Sequence, residues 1–191
     1  MGCAASRPRR DGGVNTLDRV TATQDASHAD PLIAALDATG VPYEIIGCDP
    51  DLADTAEFCE AYGYELEDSA NTIVVVGKAD PPVYAACVVL ANTRLDVNKV
   101  VRKRLGTRKA SFASGQDTEQ LTGMTIGGVT PFNLPDNIPV WVDARVMERE
   151  RVVLGGGGRD RKIVAPPALL AAAGADVVDD LAKPVPPPSA S

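Results

Sequence analysis

The sequence predicts an α+β domain around a mixed, mainly antiparallel sheet, and three observations lead there. The runs Thr72-Ile73-Val74-Val75-Val76 and Val83-Tyr84-Ala85-Ala86-Cys87-Val88-Val89-Leu90 are dense in β-branched residues. Between them lies Gly77-Lys78-Ala79-Asp80-Pro81-Pro82, a composition suited to a hairpin with two central, well-buried strands. Segments with helical spacing lie on both sides of this hairpin without strict alternation with strands, which favours α+β over a doubly wound fold. Finally, 191 residues with a 45% hydrophobic share can bury one core and fit one domain with tails.

The elements follow in order. Residues 1–28 are rich in Arg, Gly, Asp, Ser and Thr with scarcely any apolar periodicity, and 184–191 form a proline-rich end; both read as disordered tails around one domain at 29–183. Asp30-Pro31 supplies an N-cap and first residue for a helix with Leu32, Ile33 and Leu36 inward, and Gly40 stops it. A short strand is expected at 43–46. Asp54 with Glu57 reads as a capping box for a second helix that turns Phe58 and Tyr62 inward and closes at Gly63. After the hairpin, Asp96 caps a helix with Val97, Val100, Val101 and Leu105 on one face and Gly106 at its end. A strand at 110–113 and a short helix at 117–122 come next, then strands at 139–143, 151–154 and 162–164. A last helix is expected from Pro166, with Leu169, Leu170, Val177, Val178 and Leu181 inward.

Charge and composition exclude several classes. A formal net charge of −7 argues against a general nucleic-acid coat protein, because non-specific backbone binding needs excess Lys and Arg. The four cysteines, Cys3, Cys48, Cys59 and Cys87, have no CxxC spacing, so they read as buried free thiols in a reducing compartment. His28, the one histidine, sits in the polar leader, and catalysis in the body of the protein must proceed without imidazole. No apolar run reaches the roughly 18 to 20 residues of a membrane span, and the expected location is cytoplasmic. Met1-Gly2-Cys3-Ala4-Ala5-Ser6 matches a myristoylation pattern, but a six-residue match is cheap and carries no membrane assignment.

Two glycine-rich segments and one basic stretch carry the chemistry. Gly127-Gly128, followed by Val129-Thr130-Pro131, can bring backbone N–H groups up to a ligand oxygen where a Cβ would collide; the alternative is a tight turn between strands. Gly155-Gly156-Gly157-Gly158 lacks both the GK[ST] ending of a phosphate loop and the strand-GxGxxG-helix context of a dinucleotide site, so no cofactor is required. Lys99, Arg102, Lys103, Arg104, Arg108 and Lys109 follow one another with no acidic residue between them and make a local positive surface, read either as a solvated helix face or as a contact for nucleic acid. Trp141 stands in an alternating segment and reads as core.

Four segments in this order, the helix 30–40, the basic helix 95–106, the loop 122–131 ending Gly-Gly-Val-Thr-Pro, and 154–160 before a strand and final helix, resemble the YbaK/prolyl-tRNA-synthetase-associated editing domains. Members of that family hydrolyse wrongly charged aminoacyl-tRNA. The resemblance implies a partial barrel with surrounding helices and aminoacyl-tRNA as partner, with an aminoacyl-tRNA synthetase as a further candidate partner. It also implies roles at the aminoacyl end of the tRNA for Gly127, Gly128 and Pro131, and for Gly156, Gly157 and Asp160 in the later turn. Water or the terminal ribose hydroxyl would attack the ester while backbone donors hold the oxyanion. Asn71 and Thr130 are the side chains expected to orient the substrate, and Lys99, Arg102 and Lys103 those expected to meet tRNA. In one respect the chain departs from the family: active members carry a lysine where Asn71 precedes Thr72-Ile73, and an amide brings no charge.

Overall fold

The computed structural model describes residues 30–185. The expectations for 1–28, with Gly2, Cys3 and His28, and for 186–191 lie outside the described residues.

The chain opens with α1 (Pro31–Ala38), where the Asp30 carboxylate accepts from Leu32 N–H at 3.0 Å as the N-cap. It continues through β1 (Glu44–Gly47), a 3-10 turn (Pro50–Leu52), α2 (Thr55–Tyr62) and a second 3-10 turn (Leu66–Asp68). The expected hairpin follows as β2 (Ala70–Gly77) and β3 (Val83–Leu90), paired antiparallel without a bulge from Ala70 opposite Leu90 to Gly77 opposite Val83. Next come β4 (Thr93–Leu95), a π-helical turn (Val97–Val101) that runs into α3 (Arg102–Arg104), β5 (Ala110–Phe112) and α4 (Gly115–Thr122). The final part is β6 (Val140–Asp143), α5 (Ala144–Met147), β7 (Val152–Gly155), β8 (Arg161–Ala165), α6 (Ala168–Ala172), β9 (Asp176–Val178) and β10 (Ala182–Pro184).

Five strands form an open mixed sheet in the order β5-β2-β3-β6-β9, antiparallel up to β3 and parallel from there. A second, antiparallel sheet has the order β1-β8-β7, and β10 pairs with β4. Period-2 alternation on β3 divides the core. Val88 and Leu90 face α1, α6 and the second sheet, while Ala85, Cys87 and Val89 face Val97, Val101 and Trp141. Both faces of β3 are therefore buried, which is why its sequence is continuously apolar rather than alternating.

Four local expectations need correction. Tyr62, expected inward on α2, is exposed with its ring stacked on Phe58. The last helix is short: Gly174, at φ +84°, ends the turn after α6, and Asp176-Val177-Val178 joins β6 as an edge strand. Val178 is buried there, but Val177 is exposed and the buried Leu181 lies beyond the strand, so the apolar spacing that looks helical belongs to one short strand and the turn after it. Pro184, placed in the tail, closes β10. Asp54 stands at the N-cap of α2 without the capping hydrogen bond, because its carboxylate pairs with Arg159 at 3.1 Å. The basic helix begins as a π turn, yet Asp96 caps it as expected and accepts from Lys99 N–H at 3.1 Å.

Candidate functional site

The site lies where the edge of β2 opens. β5 pairs with β2 only from Val75 to Gly77, and Ala113 N–H reaches Val74 O at 3.0 Å. Towards the start of β2 the neighbouring chain is β7, tied on by a single bridge between Ser69 and Val153. In an antiparallel pair the N–H and C=O of one residue point to the same neighbour and alternate along the strand. Ser69 O accepts from Ala91 beside β3, whereas Val74 O faces β5, so Thr72 turns its N–H and C=O to the open edge. In front of this edge lies a cleft of about 260 Å³, closed by the start of α2, the loop at 126–129 and β7. Phe58, Ile73, Val129 and Leu154 give it apolar walls.

The two glycine segments form one side by packing backbone on backbone. Gly157 N–H donates to Gly128 O at 2.7 Å, and a Cβ on Gly128 would run into the carbonyl of Gly158. The same holds for Gly155 against Val129 O. The expectation of a ligand-facing Gly128 amide needs correction in one respect, since that N–H donates to Thr125 O at 2.9 Å in a tight turn. Gly127 differs. Its φ is +89°, it lines the cleft, and its N–H has no hydrogen bond among the described residues. Arg159 donates to Ile126 O at 3.2 Å and to Pro50 O at 2.8 Å; the first of these carbonyls shares a peptide with the Gly127 N–H, so the guanidinium polarises that donor as well as strapping the loop.

Side chains complete the donor set. The Thr55 hydroxyl donates to Asn71 Oδ1 at 2.6 Å, leaving the Asn71 Nδ2 protons for another acceptor. Thr72 Oγ1 is buried without a partner among the described residues. Lys162, on β8, is only 5% exposed and enters the cleft, where its ammonium donates to Ala53 O at 2.5 Å and Gly127 O at 2.9 Å and lies 5.4 Å from the centre of the Phe58 ring. Burial pushes its pKa below the ordinary lysine value. Burial also raises the Cys48 thiol and takes Cys87 to about 12, so neither is primed as a thiolate. Among the described residues, no group of three or more His, Cys, Asp or Glu side chains could hold a metal ion.

Of the residues singled out from the sequence, the cleft brings together Asn71 and Gly127. Gly128, Gly156 and Gly157 belong to the loop contact behind it, with Gly156 O accepting from Arg161 Nε at 2.8 Å. Thr130 and Pro131 are buried below the loop, Thr130 N–H facing Met124 Sδ at 3.4 Å, and Asp160 is exposed with its carbonyl accepting from Cys48 N–H. Lys162, Thr55, Thr72 and Arg159 escaped sequence reading. One signal for Lys162 was present: period 2 in a central strand sets it on the same face as the buried Val164, where a charge needs a reason.

The basic helix is exposed at Lys99, Arg102 and Lys103. Arg104 pairs with Asp176 at 3.3 Å and lies 4.9 Å over the Trp141 ring, whereas Lys99 and Lys103 are in no ion pair among the described residues. They rim a shallow apolar groove with Val100 and Val178. Among the described residues, no helix is long and apolar enough to cross a membrane.

Comparison with known proteins bears on the family and the fold. EbsC of Enterococcus faecalis, described as a candidate Cys-tRNA(Pro)/Cys-tRNA(Cys) deacylase, is 28% identical over 104 residues, 54% of this chain and 62% of EbsC, so the chain spans under two thirds of that relative. The solved structure of a hypothetical protein matches with TM-score 0.72 and 25% identity over 81% of this chain and 100% of its own. That of a candidate trans-editing enzyme for prolyl-tRNA synthetase matches with TM-score 0.66 and 27% identity over 80% and 94%. The model of the aminoacyl-tRNA editing domain matches residues 49–172, which include β2, both glycine segments and Lys162. The chain belongs to the aminoacyl-tRNA editing domain family.

Proposed function

We propose that the protein is an aminoacyl-tRNA deacylase acting in trans in the cytoplasm on tRNA mischarged with a small amino acid. One observation carries the reading: the Gly127 N–H, the Thr72 N–H and the Asn71 side chain line one cleft at an unpaired strand edge. Such a set suits an already activated ester, which needs its developing oxyanion held more than it needs a strong base. Water or the neighbouring ribose hydroxyl attacks the ester carbonyl. The tetrahedral oxyanion is held by the donors, and the bond to the ribose oxygen then breaks as that oxygen takes up a proton. With ribose attack the acyl group first moves to the adjacent hydroxyl, and water releases it in a second step. Each donor is worth about 2.7–4 kcal/mol in comparable sites.

The cleft volume of about 260 Å³ is below the roughly 300–1,000 Å³ of pockets for drug-sized ligands. A small acyl group fits inside, with the ribose at the mouth. Lys99, Arg102 and Lys103 supply phosphate contacts that hold the tRNA, and Gly128 with Gly156 and Gly157 keeps the loop in place for Gly127. Thr130, Pro131 and Asp160 support that loop and the turn after it. A synthetase partner would deliver the charged tRNA.

A second reading is favoured by Asn71: a degenerate editing fold that binds tRNA or a synthetase without hydrolysis, since an amide supplies no charge where the resemblance implies a lysine. A panel of purified mischarged tRNAs, scored for loss of the aminoacyl group against an enzyme-free control, separates the two. The deacylase reading expects at least one small aminoacyl ester to be lost faster than in the control. Binding with every ester surviving at the enzyme-free rate supports the degenerate reading instead.

A further inference from the structure

We infer that Lys162 is the working cation of the cleft, supplied from β8 beside the neutral Asn71. The inference rests on the deacylase reading and names a residue for it. Lysine usually runs its stem along apolar surface and leaves the ammonium in water. Lys162 does the opposite: it is 5% exposed, it shares a strand face with Val164 against the cluster of Phe58 and Val153, and its ammonium ends inside the cleft. No carboxylate pairs with it among the described residues. An ammonium held this way is costly to bury, and an apolar side chain would fill the same strand position at lower cost if packing were the only demand.

The proton count points the same way. An ammonium has three donors, and two are taken by the carbonyls of Ala53 and Gly127. The third remains for an oxygen in the cleft, beside the loop that carries the Gly127 N–H. Asn71 and Lys162 line the same cleft from different strands, so one positive charge is retained although the residue at the start of β2 is neutral. The charged and titratable groups that face Lys162 are Cys48, Asp54, Cys59 and Arg159, of which Asp54 is already paired with Arg159. Burial lowers the Lys162 pKa from the ordinary 10.5, so the charged form gives way on the alkaline side below the pH at which a free lysine does.

The test uses the full chain, a mischarged tRNA that the parent deacylates, and rapid-quench rates corrected for enzyme-free hydrolysis. Lys162→Met should lower kcat at least 30-fold with KM changed less than threefold. In the parent, kcat should fall as pH rises through an alkaline limb below 10.5. Lys162→Arg, which stays charged throughout, should retain part of the activity and lack that limb. A folded Lys162→Met within threefold of the parent, or an identical alkaline limb in Lys162→Arg, overturns the inference while leaving the deacylase reading intact. If Lys162→Met does not fold, the parent and Lys162→Arg profiles decide alone. A parent that cleaves no ester in the panel removes the deacylase reading itself, and the inference falls with it.

Discussion

Gly128 is held by two constraints at once: its N–H closes the turn to Thr125, and the missing Cβ makes room for the Gly158 carbonyl. Gly128→Ala should therefore destabilise the fold by about 2 kcal/mol or more, because rigid backbone must yield. Urea unfolding checks this, and an unchanged midpoint would show that the loops separate freely. Loss of activity in Gly128→Ala thus reports on loop packing, whereas Gly127 and Asn71 report on the donors. Lys162 makes a thermodynamic prediction as well. Its native pKa is lowered from 10.5, so between the native value and 10.5 the unfolded chain binds more protons and stability rises with pH. Lys162→Met should remove that rise, seen as a flatter alkaline dependence of the melting temperature.

At the scale of elements, Asp96 joins two pieces that would otherwise meet weakly. It caps the π turn through Lys99 N–H and pairs with Lys183 of β10 at 2.6 Å. Asp96→Ala should cost about 1–2 kcal/mol, as losses of N-caps do. Asp30 plays a similar part, pairing with Arg161 at 2.6 Å and capping α1. The arginine partner holds the Asp30 carboxyl below 3.8, and the lysine partner does the same for Asp96. Their contribution is present above 3.8 and is lost as pH falls through the lowered native values. Acid titration of Asp30→Asn and Asp96→Asn should show a shallower loss of stability than the parent below pH 3.8. An unchanged slope would mean that neither pair contributes.

The same scale explains what could be read from the sequence. β2 and β3 were legible because a strand buried on both faces needs uninterrupted β-branched residues, and Asp30 and Asp96 were legible as caps because capping is local chemistry. The stretch after Gly174 was not, because Val177, Val178 and Leu181 fit a helical face as well as they fit a short strand and the turn after it, and only the pairing with β6 decides between them. The glycine pair was legible as a close approach of backbone to backbone, but which of its two amides is left open depends on Gly157 and Arg159, some thirty residues away, and period-2 spacing placed Lys162 on a buried face without showing the cleft it enters.

Over the whole molecule, a net charge of −7 coexists with a lysine-rich helix whose Lys99 and Lys103 have no ion pair among the described residues. On the deacylase reading proposed above, an acidic body would repel tRNA in general and leave this surface to orient it. Lys99→Gln with Lys103→Gln should weaken tRNA binding and reduce the slope of log affinity against log salt by about 0.7–0.9 per residue. The melting temperature should stay unchanged, since both side chains are exposed. An unaltered salt slope would remove this helix from the tRNA interface.

On the deacylase reading, the open edge of β2 and Gly127 together hold the acyl end of the substrate. Amide chemical shifts recorded while a non-hydrolysable aminoacyl-adenosine amide is titrated into the full chain test it most directly. The largest saturable shifts should fall at Gly127 and Thr72, with Gly128 moving less because its N–H stays on Thr125. Saturable binding that leaves Gly127 and Thr72 unmoved would contradict it.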